Sequence, residues 1–216
     1  MGEASSGLSC ERARFGTVDV RFTFGTFKFA VREPSFRLSA AGSTPQFPNT
    51  VQSLRKAVRT YHHAGAAAAH RALRESLKGP YWKTGVGAGK AAVAGQLLDA
   101  YMHLDAADGR AVAGFNVNSD VSIGSDVIDV TVDVCLFGAT GYAVRLVLWD
   151  TRACSRADAR ALLAPCVVAV EQEFGQGAVE DASLFHIRSG STYVFTRREA
   201  LRGMTDVAAA LNRAQQ

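Results

Sequence analysis

The stretch S-D-V-I-D-V-T-V-D-V-C-L-F-G-A-T-G-Y-A-V-R-L-V-L-W-D-T-R, residues 125–152, alternates as a half-buried strand does. Ile128, Val130, Val132, Val134 and Leu136 fall on one side, and Asp129, Thr131, Asp133 and Cys135 on the other. Gly138-Ala139-Thr140-Gly141 supplies turn residues, and the apolar pattern resumes from Tyr142 to Trp149. The segment therefore reads as a hairpin pairing Val127–Phe137 with Tyr142–Trp149. With Ala139-Thr140 at the turn, Asp129 lies opposite Asp150, and Arg152 shares the face of Asp150. Directly opposed carboxylates repel. Such a pair is tolerated at a solvated hairpin end, with Arg152 neutralising Asp150, or where a cation binds it. Two carboxylates and a cationic side chain at a sheet edge outline a magnesium–phosphate site.

On the C-terminal side, Ser155 to about Phe174 reads as a helix with Ser155 as N-cap and Gly175 at its end. Ser183–Ile187 and Thr192–Thr196 read as short strands, and Arg198–Ala214 as a terminal helix. On the N-terminal side, Ala111–Val117 and Val121–Ile123 read as a strand with a turn, preceded by a helix from about Ala88 to Leu104. Thr50 to about Leu77 reads as one helix, or as two broken near Gly65, stopped by Gly79-Pro80. The order is two helices, three strands, a helix, two short strands and a terminal helix. This is an α/β chain with a mixed central sheet flanked by helices.

Residues 1–49 are read apart from the 50–216 core. Val18, Val20, Phe22 and Phe24 alternate with polar residues, and Phe27, Phe29 and Val31 resume after Gly25-Thr26, the signature of a β-hairpin with a II′ turn. The other face of that ribbon shows Arg21, Lys28 and Arg32, which suits contact with nucleic acid. Residues 34–49, with Pro34, Pro45, Pro48 and Gly42, read as a linker.

The chain has 216 residues, 48% hydrophobic and 20% charged, the size of one domain and too apolar for disorder. Its longest nearly uncharged stretch, Ala161–Val170, is too short to span a bilayer and contains Pro165, which excludes a membrane helix there. Glu3 and Glu11 and the lack of a continuous apolar start argue against a secretory signal, so a cytoplasmic location is expected. Cys10, Cys135, Cys154 and Cys166 form no C-x-x-C pair and read as buried or free thiols, with a zinc site or disulfide framework as alternatives. Residues 1–110 carry 15 basic and 8 acidic side chains, residues 111–216 carry 9 and 12. A basic first half suits a polyanionic partner, and an acidic second half suits a bound cation.

G-V-G-A-G-K at 85–90 is not a phosphate loop: Thr84 stands where the first glycine belongs, and Ala91 where a magnesium-binding hydroxyl is needed. His62, His63 and His70 share one helix, but the two-turn spacing of His63 and His70 is not that of a metal pair.

The hairpin and its flanks resemble the core of the PD-(D/E)XK nuclease superfamily, particularly its RecB-like branch. Asp129 takes the place of the first acid, Asp150 that of the second, and Arg152 stands at the lysine position. F-N-V-N-S-D-V-S-I-G-S-D-V-I-D is similar to the strand entering the first acid, S-L-F-H-I-R-S-G to the next strand, and G-A-A-A-A-H at 65–70 to the upstream glycine–histidine helix. The resemblance covers about residues 60–196 and implies a restriction-endonuclease-like core. It also implies Mg²⁺ held by Asp129 and Asp150, Arg152 on the scissile phosphate and His70 supplementing the site. Arginine stays protonated and is bulkier than lysine beside a nucleophilic water. The Q-x-x-x-Y pattern of the following helix is absent, and no lysine follows Lys90, the nearest replacement by topology. The expectation is a DNA-binding protein, weakly active or catalytically silent, acting with a protein partner or as a homo-oligomer. Arg21, Lys28, Arg32 and Lys90 are its expected nucleic-acid contacts. An active Mg²⁺-dependent nuclease and an unrelated α+β interaction or small-molecule-binding protein are the alternatives.

Overall fold

A computed structural model describes residues 20–38 and 50–216. The central strand is β3 (Asp126–Phe137), whose β-branched run favours extended backbone. Along one edge it pairs antiparallel with β2 (Val112–Ile123) over most of its length. Its other edge is shared. β4 (Tyr142–Leu148) pairs antiparallel with Val134–Phe137, and β1 (Arg21–Thr23) pairs parallel with Val127–Asp129. The crossover helix α4 (Arg156–Phe174) leads to β5 (Val179–His186), parallel to β4, and β6 (Ser191–Thr196) closes that side antiparallel. The sheet is mixed and six-stranded, and helices cover it.

The expected hairpin forms with Phe137 opposite Tyr142 and Val134 opposite Arg145, as the Ala139-Thr140 turn requires. Glu180 clamps the turn, accepting from the backbone N–H groups of Ala139 and Thr140 at 2.9 Å each. Beyond Val134 the register is lost. β1 occupies the edge of β3 where β4 would have to continue, so Thr23, not Asp150, stands beside Asp129.

The two faces carry separate cores. On one, Ile128, Val130 and Val132 join α1 (Phe24–Arg32), α4 and α6 (Met204–Gln215). On the other, Val134 and Leu136 join α2 (Thr50–Ser76) and α3 (Gly85–Ala106). The alternation of β3 therefore changes face at Asp133–Val134. The β2–β3 ladder omits Asn116 and Asp133 at this place, and Asn116 has φ 50°. β2 is one continuous strand kinked there, not two segments joined by a turn.

The N-terminal hairpin is a correction. Val20 precedes β1, residues 18 and 19 lie outside the described residues, and Phe24–Arg32 is helical. Thr23 caps this helix by accepting from Thr26 N at 3.2 Å. Phe24, Phe27 and Val31 then recur at helical spacing and are buried, so the same phenylalanines that alternate as a ribbon also make a helical stripe. Burial against α4 and α6 chooses the helix.

Elsewhere the boundaries agree closely. α2 breaks at Gly65, whose φ of 79° lies outside the helical range. α4 carries the Ser155 cap, reinforced by Asp158 as a capping box. The terminal helix is two, α5 (Arg197–Leu201) and α6, separated at Gly203, where a Cβ would lie 2.5 Å from the Arg160 carbonyl oxygen. Cys135, Cys154 and Cys166 are buried free thiols, and Cys10 lies outside the described residues. No helix among the described residues is long and apolar enough to cross a membrane.

Candidate functional site

Where β4 leaves β3, a buried carboxylate fills the place of the missing ladder. Asp133 is 5% exposed. Its Oδ2 accepts from the backbone N–H of Val147 at 2.8 Å, and its Oδ1 accepts from Arg55 Nε of α2 at 2.7 Å. An acid can occupy the core here because strand separation frees a backbone donor and α2 supplies a guanidinium. Arg55, Val58, Phe115, Asn116, Asp133, Val147 and Trp149 line a recess at this point.

Lys28 of α1 approaches from the other core. Burial lowers its pKa, against the opposing pull of Asp133, while Arg55 and Arg32 add to the lowering. No carboxylate among the described residues lies within 4 Å of its ammonium, which sits 4.6 Å from the Phe24 ring centroid. Lys28 is thus a half-buried helical residue lying over Phe24, not one displayed on a ribbon.

Asp150, Arg152 and Arg32 do come together. Arg32, its side chain 1% exposed, holds both oxygens of Asp150 at 2.8 Å in a bidentate pair. The Arg152 backbone N–H donates to Asp150 Oδ1 at 3.0 Å, and the Arg152 guanidinium lies 3.8 Å from the Phe29 ring centroid. Burial pushes the Asp150 carboxyl up, but the Arg32 hydrogen bonds and charge outweigh it and hold the group below the usual carboxylate range.

Asp129 is not part of this group. It is exposed, opposite Asp120 of β2, and Asp120 pairs with Arg21 at 2.6 Å. His70 pairs with Asp99 of α3 at 2.9 Å, and Lys90 donates to the Tyr81 hydroxyl at 2.9 Å. The two carboxylates expected to share Mg²⁺ are therefore not brought side by side, and a guanidinium already occupies Asp150. Among the described residues no group of three or more His, Cys, Asp or Glu side chains is placed to hold a metal ion.

Sequence reading passed over Asp133, Arg55, Asn116 and Trp149. The signal was present: Asp133 is a lone acid between Val132 and Val134, in a run too apolar for a solvated face. A second charged cluster escaped it too. Arg145 is fully buried on β4 and pairs with Asp105 and Asp108, and Arg110 ties Asp108 to Asp181 of β5 at 2.7 Å. His62 Nε2 and the Tyr101 hydroxyl lie 2.8 Å apart beside it. The chain matches no protein-family model, and no curated protein matches it significantly.

Proposed function

We propose that this chain is a catalytically silent α/β protein that binds nucleic acid through the helical layer of α2 and α3. The observation that carries this reading is charge. Residues 50–106 hold eight basic and three acidic side chains, while the rest of the chain holds 16 and 17. The positive excess therefore belongs to one face. Lys56 and Arg59 are exposed on the part of α2 before the break at Gly65, Arg71 and Arg74 on the part after it, each pair three residues apart and so neighbours on its own segment, and Lys78 is exposed just beyond the helix end. Lys56, Arg59, Arg71 and Arg74 have no carboxylate within 4 Å among the described residues.

Two contacts support silence: Arg32 already neutralises Asp150 in a bidentate pair, and the Arg152 guanidinium lies on the Phe29 ring, so taking up Mg²⁺ or a scissile phosphate would have to break a contact the fold makes.

The test is anisotropy of labelled single- and double-stranded DNA and RNA, with cleavage followed on the same samples. We expect binding that falls steeply with salt, a loss of about 100-fold or more in a Lys56→Glu/Arg59→Glu/Arg71→Glu/Arg74→Glu variant, and no cleavage with Mg²⁺. Salt-independent or absent binding counts against the reading. EDTA-sensitive cleavage lost in Asp150→Ala would establish an active nuclease instead.

A further inference from the structure

The sheet ends at β6, which pairs with β5 alone. Its sequence, S-T-Y-V-F-T, has no charge and no proline, and its ladder with β5 runs without a register shift. Charge, proline and bulges are the devices that keep a sheet edge from taking up another strand. β2, which likewise pairs with one strand only, has two of them, a register shift between Val112 and Gly114 and the carboxylate of Asp120.

Hydrogen bonds show which backbone groups of β6 face outward. Thr196 N–H donates to Glu199 Oε2 at 2.9 Å, and the Val194 carbonyl accepts from Arg156 Nη2 at 3.4 Å, so both point away from β5. Alternation along an antiparallel strand turns Thr192 the same way and leaves Tyr193 and Phe195 to pair with Leu184 and Ala182. The N–H and C=O of Thr192 and the N–H of Val194 have no partner among the described residues. Val194 is 52% exposed beside them. Outward amide groups next to an open apolar side chain are what an added strand uses.

Charge selects the strand. Residues 111–216 hold 9 basic and 12 acidic side chains, yet Arg188, Arg197, Arg198 and Arg202 fall within residues 188–202 against Glu199 alone. Arg197 is taken by Glu171, whereas Arg156, Arg188, Arg198 and Arg202 are exposed with no carboxylate within 4 Å among the described residues. Arg156 lies over the Phe195 ring, on the face of β6 opposite Val194, at 4.5 Å from its centroid. With Arg202 it stands near the Thr196 end, where both add to the hydrogen bonds from Thr196 that hold the Glu199 carboxyl below its usual range. Antiparallel pairing with a second copy would set this end of each β6 against Arg188 of the other. A nucleic-acid strand has no amides to continue the ladder. An acidic peptide meets neither obstacle.

We infer that the free edge of β6 receives an extended acidic segment of a partner protein as an added strand. Its backbone bonds to Thr192 and Val194, an apolar side chain lies against Val194, and carboxylates on its other face meet Arg156 and Arg202. This site does not rest on the nucleic-acid reading. The probes are three labelled peptides of about eight residues, enough to span β6, in which valine alternates with glutamate, glutamine or lysine. Anisotropy should show the glutamate peptide binding at least about 10-fold more tightly than the other two, with an affinity that falls as salt rises. N-methylation of the amides that face β6 keeps charge and side chains but removes the ladder donors, and should abolish binding. Val194→Pro removes an N–H that β5 does not use, and should weaken binding about 10-fold or more. Arg156→Glu/Arg202→Glu changes only exposed side chains and should weaken it as much, so the test stands even if the proline variant fails to fold. Circular dichroism checks each fold. Absence of binding by the glutamate peptide, or binding that survives N-methylation, overturns the proposal. A chain that sediments as a dimer, and as a monomer after Val194→Pro, overturns it in favour of a second copy. An oligonucleotide whose binding is lost in Arg156→Glu/Arg202→Glu, with no peptide bound, overturns it in favour of nucleic acid.

Discussion

Arg32 shows how surroundings reassign a side chain. On an exposed ribbon it would meet a phosphate, but on α1 it meets Asp150 with both terminal nitrogens at 2.8 Å. Asp150 has its pKa held below its ordinary value of 3.8, because Arg32 and the Arg152 N–H outweigh the effect of burial. A carboxyl whose folded pKa is depressed contributes stability that is complete above the unfolded value and lost as pH falls through the folded one. Arg32→Ala should therefore cost about 1–2 kcal/mol at neutral pH, a figure reduced for solvent screening because the Asp150 side chain is 41% exposed. Urea unfolding of both proteins at neutral pH and again below the folded pKa checks this. The gap should narrow on acidification. A gap of equal size at both pH values would assign the loss to packing of the arginine stem.

At the scale of elements, the glycines of G-V-G-A-G-K serve the start of α3. A Cβ at Gly87 would lie 1.9 Å from the Tyr81 carbonyl oxygen and 2.8 Å from the Trp82 Cα, so the glycine lets α3 lie against the Pro80–Lys83 turn. Gly95, in the body of the same helix, has nothing within 4 Å of a Cβ. Alanine should therefore act with opposite sign at the two positions. Gly87→Ala should destabilise by about 1–3 kcal/mol through overpacking, and Gly95→Ala should stabilise by about 0.5–1 kcal/mol through helix propensity. Thermal unfolding decides it, and the same sign at both positions would sink the account. Spacing was enough to reject a phosphate loop here. It could not show what Gly87 touches, because Tyr81 and Trp82 reach it through the docking of a neighbouring turn.

Across the whole molecule, two helical layers enclose one sheet, and a charged cluster joins the α3 end to the sheet. Arg145 on β4 is fully buried with Asp105 and Asp108 as partners, and Arg110 links Asp108 to β5. Arg145→Met keeps the bulk but strands Asp105 and takes one of the two arginine partners of Asp108, and should cost about 3–5 kcal/mol. Asp105→Asn/Asp108→Asn in the same chain should recover part of that loss, because the penalty lies in the unpaired charge. Urea midpoints of the single, double and triple variants measure it. Full additivity would show that the three side chains are not coupled.

The order of elements was legible because it depends on local facts: the turn at 138–141, the Ser155 cap, Gly79-Pro80 and the alternation of Ile128 to Val132. The register next to the hairpin turn followed from turn length alone. What the sequence could not determine by itself was the far half of that hairpin. Phe22 to Val31 satisfies both a period of two and a helical stripe, and contact with α4 and α6 selects the helix. The strand left over, β1, then takes the edge of β3 beside Asp129. That placement separates Asp129 from Asp150, gives Asp150 to Arg32 and opens the gap that Asp133 fills. Local pattern carries information over one turn of chain, whereas an edge can be claimed by any strand long-range packing delivers to it, here one more than a hundred residues away.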